Sequence, residues 1–379
     1  MQKKNGCGAS ATSSLRCACQ IRSDSPHWVL QLALRTSVVL WAAVVLATAC
    51  PPAEGQEKSD FTTLELKDLM ALDVIAINVL GTHVHPAGQW MIGYEYLFDN
   101  MDGNRDGTRR LSHRQVLEVY NTAPTDMTMQ MHMVSAMYAL TNDLTLMGML
   151  PYIQKSMNHV TRDGARFKER SEGIGDLEAH ALYTLLSTKD LQHRFILNFG
   201  ISLPTGSIDA KDFGPDRSMG ENRLEYPMQL GSGTVDLMPG LSYLGQMERL
   251  AWGLEFHPRL RLGRNSHDYR LGNRYRWSGW GAVKLTEWLS LSGRFDAEIW
   301  GNIDGRDKTL DPTDEPTKDV SAQGGRRVDL LLGLNFYVPT GIFKGQRFAV
   351  EAGAPVYQSL NGPQLQTDWL LRVGWQWAF

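Results

Sequence analysis

The chain ends in the stretch TDWLLRVGWQWAF, Thr367–Phe379, and this stretch decides the fold class. Every second residue, counted back from the last, forms an apolar face with four aromatic members: Phe379, Trp377, Trp375, Val373, Leu371 and Trp369. The residues between them are mostly small or polar. A period of two indicates a β-strand, and a tryptophan-rich face opposite a polar one is typical of a lipid-facing strand in an outer-membrane barrel. A strand of a soluble β-sandwich is the alternative.

Composition narrows the class of protein further. The 379 residues carry a formal net charge of −3, so no excess of basic residues indicates a nucleic-acid partner. Hydrophobic residues make up 42% and the mean hydropathy is −0.29, which is too polar for a helical membrane protein. These values fit a barrel, because only alternate residues of its strands face lipid. The four cysteines all lie within the first 50 residues, so we expect no disulfide in the folded body.

The N-terminal region has the features of an export signal. Ser37–Ala49 is an apolar run too short to span a bilayer comfortably as a helix. It ends in Ala47-Thr48-Ala49, the small-residue pattern of a cleavage site. We therefore predict a signal peptide over residues 1–49, with lipid attachment to Cys50 as an open alternative. Residues 50–88 are expected to form an N-terminal periplasmic segment with a short amphipathic helix.

From residue 89 onward, segments with alternating polar and apolar residues recur. We predict that residues 89–379 form an all-β, antiparallel transmembrane β-barrel of about twelve strands. The links at 139–143 and 245–249 are short, whereas those at 204–233 and 301–325 are long and polar. Short turns at one end and long loops at the other are typical of outer-membrane barrels, whose long loops are extracellular. Both ends of the chain are therefore expected in the periplasm.

The strand faces opposite the lipid are predicted to line the lumen, and most of them carry charges of both signs. The candidate lining residues are Glu255, His257, Arg259, Arg261, Arg294, Asp296, Glu298 and Arg372. In a narrow barrel such groups must form ion pairs or stay hydrated. They therefore predict either a structural network with some trapped water or the lining of a selective pore, and the sequence leaves both open.

Four short motifs resemble one outer-membrane family. They are Gly173-Ile174-Gly175-Asp176, Leu203-Pro204-Thr205-Gly206, Gln229-Leu230-Gly231-Ser232-Gly233-Thr234 and Asp236-Leu237-Met238-Pro239-Gly240-Leu241-Ser242-Tyr243. They look like the signature of the outer-membrane β-barrel family labelled MetA-pathway of phenol degradation. The resemblance implies a barrel and a transporter, and the family label implies passage of aromatic compounds. The terminal Phe379 also resembles the assembly signal of bacterial barrels, which implies recognition by the barrel-assembly machinery.

A run of methionines suggests soft-metal chemistry. One predicted strand carries Met127, Met129, Met131, Met133 and Met137 on a single face, and the next carries Met147, Met149 and Met157. Thioethers are soft ligands for Cu(I) or Ag(I), and His83 and His85 lie just before the first strand. Methionine is equally a flexible apolar residue suited to face lipid. The polar residues between the first five predict that this row faces lipid, whereas the leucines of the next strand predict that Met147 and Met149 face inward.

The first long loop contains half of a calcium-binding motif. In Asp102-Gly103-Asn104-Arg105-Asp106-Gly107, oxygen ligands stand at positions one, three and five and glycine at six. Position twelve is His113, where the motif requires a bidentate Glu. The sequence therefore predicts either a Ca²⁺ site at Asp102, Asn104 and Asp106 or an Asx- and glycine-rich turn.

Together these features predict a channel or transporter for a small solute in the bacterial outer membrane, with an aromatic or hydrophobic compound as one candidate. Two alternatives stay open: a copper- or silver-binding or efflux barrel, and a structural barrel without transport. The predicted partners are outer-membrane lipid, the assembly machinery and the solute, with no nucleic acid. Ca²⁺ and Cu(I) are the candidate cofactors. Ser and His residues show no compelling arrangement, so the sequence does not predict an enzyme.

Overall fold

The computed structural model describes residues 84–188, 190–216, 218 and 220–379. The predicted signal peptide, His83 and the predicted periplasmic segment up to residue 83 lie outside the described residues. The described strands are β1 (Trp90–Gly107), β2 (Arg109–Leu111), β3 (Thr122–Ala139), β4 (Leu144–Thr161), β5 (Arg166–Ile174), β6 (Leu177–Ser187), β7 (His193–Leu203), β8 (Lys211–Phe213), β9 (Glu221–Arg223), β10 (Val235–Met247), β11 (Leu250–Leu262), β12 (Tyr269–Arg270), β13 (Arg274–Lys284), β14 (Leu289–Trp300), β15 (Asp304–Gly305), β16 (Gly325–Tyr337) and β17 (Gln346–Ala378). The described helices are α1 (His113–Leu117) and 3₁₀ turns at Tyr226–Met228, Pro316–Lys318 and Val320–Ala322. None of these helices is long and apolar enough to cross a membrane.

Most of the strands form one closed antiparallel ring. Neighbouring strands pair in the order β1, β3, β4, β6, β7, β10, β11, β13, β14, β16 and β17. The ring closes because β1 also pairs with β17, beginning with Met91 opposite Ala378. Closure leaves no ring strand with an unpaired edge, as a barrel in lipid requires. The prediction of an all-β antiparallel barrel is confirmed.

The last element, β17, folds back on itself. Residues 347–360 pair with β16, and the remainder pairs mainly with β1. The two halves also contact each other, since Trp375 Nε1 donates a hydrogen bond to Gln346 Oε1 at 3.0 Å. Gly362, with a φ of 76° that favours glycine, lies at the bend. The eleven ring elements of the described chain therefore supply twelve barrel-crossing segments, the number that the sequence predicts.

Connection lengths alternate around the ring. Residues 140–143 and 248–249 make short turns at one end, and residues 108–121, 204–234 and 301–324 make long loops at the other. The long loops carry the short helices and the small strands, of which β8 pairs with β9 and β12 with β15 outside the ring. By the asymmetry of outer-membrane barrels, the long loops are extracellular and the short turns periplasmic.

Side chains alternate between an apolar outer face and a polar lumen. On β16, Leu330, Leu332 and Leu334 are exposed at the protein surface, whereas Asp329 and Asn335 are buried. Residues two apart share a face of a strand, so these leucines face the bilayer and the polar residues face the lumen. An exposed apolar belt around a closed ring is the surface that an outer-membrane protein presents to lipid.

Candidate functional site

One half of the lumen is lined by six charged side chains that we name the charged arc: Glu95, Arg276, Arg294, Asp296, Glu351 and Arg372. Arg294 binds Glu351 in a bidentate manner, with Nη2–Oε1 and Nε–Oε2 distances of 3.0 Å each. Arg372 and Arg276 both donate to Asp296 Oδ2, at 2.9 and 2.7 Å. All except Arg276 are almost fully buried. Their strands are β1, β13, β14 and β17, so this part of the lumen is held by buried, charge-assisted hydrogen bonds.

A second ionic network lies on β6, β10 and β11. Arg259 forms an ion pair with Glu178, and Arg261 forms one with Asp236. Arg259 Nη1 also lies 3.7 Å from Asp236 Oδ2, so the four side chains are connected. Asp236 is completely buried, and a carboxylate there requires such partners.

All eight predicted lining residues face the lumen in one of these networks or beside it. Glu255 Oε2 lies 3.2 Å from His257 Nε2, and its Oε1 accepts a hydrogen bond from Trp280 Nε1 at 3.2 Å. Glu298 Oε1 lies 3.2 Å from Arg274 Nη1. The other five take part in the ion pairs described above. Their pairing matches the ion-pair network that was one of the two alternatives predicted from the sequence. A role of these residues in selecting a solute stays a prediction.

The methionine row of β3 faces the lumen and not the lipid. Met127, Met133 and Met137 are buried, whereas Val134 is 60% exposed. Met133 stands opposite Glu95 in the β1–β3 register, and Glu95 belongs to the charged arc. The prediction that this row faces lipid is therefore wrong. In the ring order, β3 and β4 lie across the lumen from β13 and β14. The methionines therefore face Arg276, Arg294 and Asp296 across the lumen, whereas Glu95 lies beside them on β1.

Tyrosine hydroxyls on β1 explain why the polar face of β3 can point outward. Tyr94 Oη lies 2.7 Å from His132 Nδ1, and Tyr96 Oη donates to Gln130 Oε1 at 2.9 Å. A hydrogen-bonded polar group is much less costly to place against lipid than an unpaired one. The pattern of β3 alone was misleading because the partners of its polar residues lie on another strand.

The loop between β7 and β10, residues 204–234, enters the extracellular end of the lumen, and we name it the plug loop. Its Leu224 and Met228 are buried against Met127 and Met157, which face the lumen from β3 and β4. Lys155 Nζ on β4 donates to two carbonyls of this loop, at 2.8 and 2.6 Å. The loop therefore fills the extracellular part of the lumen with side chains that do not belong to the barrel wall.

Asp176 fastens both ends of the plug loop. Its Oδ1 accepts the backbone N–H of Gly206 at 3.0 Å, and its Oδ2 accepts the backbone N–H and the hydroxyl of Ser232 at 2.8 Å each. Gly206 and Gly231 approach so closely that neither leaves room for a Cβ atom. These residues belong to the motifs at 173–176, 203–206 and 229–234. The motifs thus specify the anchorage of the plug loop.

Residues before β1 narrow the periplasmic end of the lumen. Val84 packs in a buried cluster with Met91, Met137, Leu182 and Ile196, and Met147 lies against it. Met149 lies two residues further along β4 and shares the face of Met147. His85 is buried beside Val84, and its backbone N–H donates to Thr145 Oγ1 at 3.3 Å. This apolar floor narrows the periplasmic end of the described lumen, and the plug loop fills its extracellular end.

The candidate calcium loop is part of β1. Asp102 stands opposite Asp126 on β3, and Asp106 stands opposite Arg109 on β2. Asn104 is buried, and its Nδ2 donates to the carbonyl of Pro124 at 2.6 Å. An extended, paired backbone does not wrap around a cation as a calcium loop does. The loop conformation that the sequence allowed is therefore not formed.

One histidine and three glutamates meet on the extracellular side, and we name them the His–Glu cluster. His159 Nε2 lies 2.9 Å from Glu315 Oε1, 3.7 Å from Glu225 Oε1 and 3.7 Å from Glu169 Oε2. Burial and the carboxylates of Glu169 and Glu315 raise the pKa of Glu225 well above its usual range. Sequence reasoning missed this cluster because its members come from separate strands and loops.

The fold is shared with a solved outer membrane channel from Pseudomonas putida F1. The two are 13% identical, the match covers 80% of this chain and all of that one, and the TM-score is 0.53. The chain therefore has the fold of an outer-membrane β-barrel. The P. putida toluene transporter TodX is 9% identical, with a TM-score of 0.40, and the match covers 78% of this chain and 91% of TodX. The KdgM porin is 13% identical, with a TM-score of 0.34, and the match covers 76% of this chain and 99% of KdgM. No family model and no curated protein matches the chain.

Proposed function

We propose that this outer-membrane barrel is a gated channel for a small solute and that the plug loop is its gate. The observation that carries the proposal is that the extracellular end of the lumen is filled by the plug loop, which is not part of the wall, next to a wall lined with ion-paired side chains. Buried ion pairs add little to stability compared with well-packed apolar residues. A lumen built only as a structural core would be filled more stably by apolar side chains, so the charged arc supports a solute path.

The lining on either side of the gate indicates the class of solute. If the plug loop moves out, the path is lined by the methionines of β3 and β4 and, around the rest of that half of the wall and across the lumen, by the charged arc. Such a path suits a small solute with an aromatic or hydrophobic part and a polar group. The motif resemblance to the phenol-pathway family agrees with this class.

Single-channel recording of the refolded chain in planar bilayers tests the proposal. Replacing residues 209–228 by a short Gly-Ser linker removes the gate, and we expect it to convert brief, rare openings into a steady open conductance. Removing only residues 214–220, between β8 and β9, leaves Leu224 and Met228 in the chain and should not change the wild-type trace. A folded barrel without conductance after loss of residues 209–228 would support the structural alternative.

Soft-metal handling is a second candidate function, favoured by the lumen orientation of the methionines. Met127 stands opposite Met157 and Met137 stands opposite Met147 in the β3–β4 register. Paired thioethers on adjacent strands are suited to Cu(I) or Ag(I). Ag(I) should then block the gate-deleted channel, and a Met137→Leu, Met147→Leu double variant, which removes both sulfurs of one pair, should weaken that block. Equal block of both proteins would exclude these two sulfurs as the ligands.

A further inference from the structure

The His–Glu cluster has the donor atoms of a metal site in a compact, dry arrangement. One donor atom from each of His159, Glu225 and Glu315 lies within 4.8 Å of the other two. The carboxylate of Glu169 lies beside them, with its Oε2 3.7 Å from His159 Nε2. Their side chains are at most 2% exposed, and that of Glu169 is 10% exposed. Solvent therefore cannot hydrate the carboxylates as it does on a protein surface.

Glu225 and Glu169 are short of hydrogen-bond donors among the described residues, because the imidazole of His159 lies closest to Glu315. Neither carboxylate oxygen of Glu225 has a hydrogen-bond partner among them, and neither does Glu169 Oε2. The nearest ammonium, Lys318 Nζ, lies 3.9 Å from Glu315 Oε2 but only 2.7 Å from Asp314 Oδ2, outside the cluster. Unpaired buried carboxylates are strongly unfavourable. A bound cation of charge +2 supplies both the missing charge and the missing partners.

The donor types, together with their distances from His159 Nε2, favour Zn²⁺ over Ca²⁺. With metal–ligand distances of about 2.0–2.2 Å, a tetrahedral zinc site places its donors about 3.4 Å from one another. The observed separations from His159 Nε2, between 2.9 and 3.7 Å, bracket this value. Imidazole with carboxylates is a ligand set for Zn²⁺, whereas Ca²⁺ takes oxygen ligands alone. The ring of Phe167 stacks on that of His159 at a centroid distance of 4.7 Å, which restricts the orientation of the imidazole.

We propose that His159, Glu169, Glu225 and Glu315 form a Zn²⁺ site that ties the plug loop to the barrel wall. His159 and Glu169 belong to β4 and β5, Glu225 to the plug loop and Glu315 to the loop 301–324. One ion then bridges two strands and two long extracellular loops. Because Glu225 lies three residues before Met228, the bridge holds the apolar part of the plug loop in the lumen.

Metal analysis of the full chain, folded in detergent, tests the site. After treatment with a chelator and return of Zn²⁺, the wild-type chain should hold one ion, and Zn²⁺ should raise its Tm. The variants Glu225→Gln and Glu315→Gln keep the shape of the side chain but remove a ligand charge. Each should weaken Zn²⁺ affinity by about 100-fold or more, since loss of even an outer partner of a metal ligand costs about 10–100-fold.

The matched control is Glu221→Gln, which removes an exposed carboxylate from the same loop and should bind Zn²⁺ as the wild type does. Circular dichroism and the gel mobility of the unheated barrel show which variants are folded. The proposal is overturned if the folded wild-type chain binds no stoichiometric Zn²⁺, or if Ca²⁺ binds more tightly. It is equally overturned if folded Glu225→Gln and Glu315→Gln bind Zn²⁺ as tightly as Glu221→Gln does.

Discussion

Asp176 and Ser232 are joined by two hydrogen bonds, from the backbone N–H and from the hydroxyl of Ser232 to one carboxylate oxygen, each 2.8 Å long. Because the other oxygen holds Gly206, a single side chain on the barrel wall fixes both ends of the plug loop. We expect Asp176→Ala to release this loop, since each hydrogen bond to a charged group contributes about 1.5–3 kcal/mol. Single-channel recording should show more frequent openings with an unchanged fold.

The control for that variant is Asp216→Ala, in the exposed part of the same loop, where the carboxylate bonds only Ser218 among the described residues. It should leave the channel trace unchanged. Equal traces for Asp176→Ala and the wild type would show that the anchorage does not limit opening.

The charged arc should respond to single and double substitution in opposite ways. Glu351→Ala leaves the Arg294 guanidinium without its bidentate partner, and we expect it to lower the free energy of unfolding by about 3–5 kcal/mol. The double variant Arg294→Met, Glu351→Leu should recover most of that loss. Urea titration in lipid vesicles, followed by tryptophan fluorescence, measures both values.

An exposed ion pair provides the comparison for the charged arc. Arg264 Nη2 and Asp304 Oδ1 are 2.9 Å apart, but both side chains are about half exposed. Asp304→Ala should therefore lower the free energy of unfolding far less than Glu351→Ala does. A cost for Glu351→Ala as small as that for Asp304→Ala would mean that the Arg294–Glu351 pair is hydrated in the bilayer.

Met228 should control local opening of the plug loop and not global stability. Its side chain is completely buried against Met127 and Met157, so Met228→Ala leaves a cavity. We expect this cavity to destabilise the closed position of the loop by about 2–5 kcal/mol. Because the loop is not part of the ring, we expect the loss to appear as faster hydrogen exchange in residues 204–234 alone. Met247→Ala, at a side chain that is 56% exposed, should change nothing there. Faster exchange throughout the ring strands would instead make the plug loop part of the barrel core.

Phe379 should matter for assembly more than for the finished barrel. Its ring is 58% exposed, while its backbone exchanges two hydrogen bonds of 2.9 Å with Trp90 that any residue can make. Phe379→Ala should therefore change stability by no more than about 0.5 kcal/mol. We expect it to reduce the yield of barrel in the outer membrane of cells but not refolding in detergent. The control is Phe348→Ala, at another exposed aromatic residue of β17; equal cellular yields of the two variants would argue against the signal.

The alternation of polar and apolar residues along the sequence is sufficient to predict most of the barrel wall. The alternation around Leu330, Leu332 and Leu334 and the alternating lengths of connections predict strand faces and ends, because both depend on neighbours within a few residues. The row from Met127 to Met137 was assigned to the wrong face, since the tyrosine partners of His132 and Gln130 come from β1. The Asp and Gly residues of Asp102–Asp106 predict a loop, whereas pairing with β2 and β3 makes this stretch a strand.

The site inside the barrel depends on contacts between residues that are far apart in the sequence, and the local sequence pattern does not predict such contacts. The charged residues could be assigned to the lumen, but pairs such as Arg294 with Glu351 follow from register and not from spacing. Nothing near Glu225 in the sequence marks it as a neighbour of His159 or Glu315. One signal in the sequence could have indicated that this loop is buried. Leu224, Tyr226 and Met228 are large, mainly apolar residues, which are unusual in a loop that faces water.

The distance along the chain between His159 and Glu315 sets an order of folding. These residues are 156 positions apart (315 − 159) yet lie 2.9 Å from each other, and the strands β6 to β14 separate them. Contacts of such high sequence separation form late, because the intervening chain must first be placed. The His–Glu cluster therefore comes together only after the intervening strands have paired and the long loops have reached the cell exterior. We therefore expect the contacts of Asp176 to fix the ends of the plug loop first, and the His–Glu cluster to add the last attachment of this loop to the finished barrel.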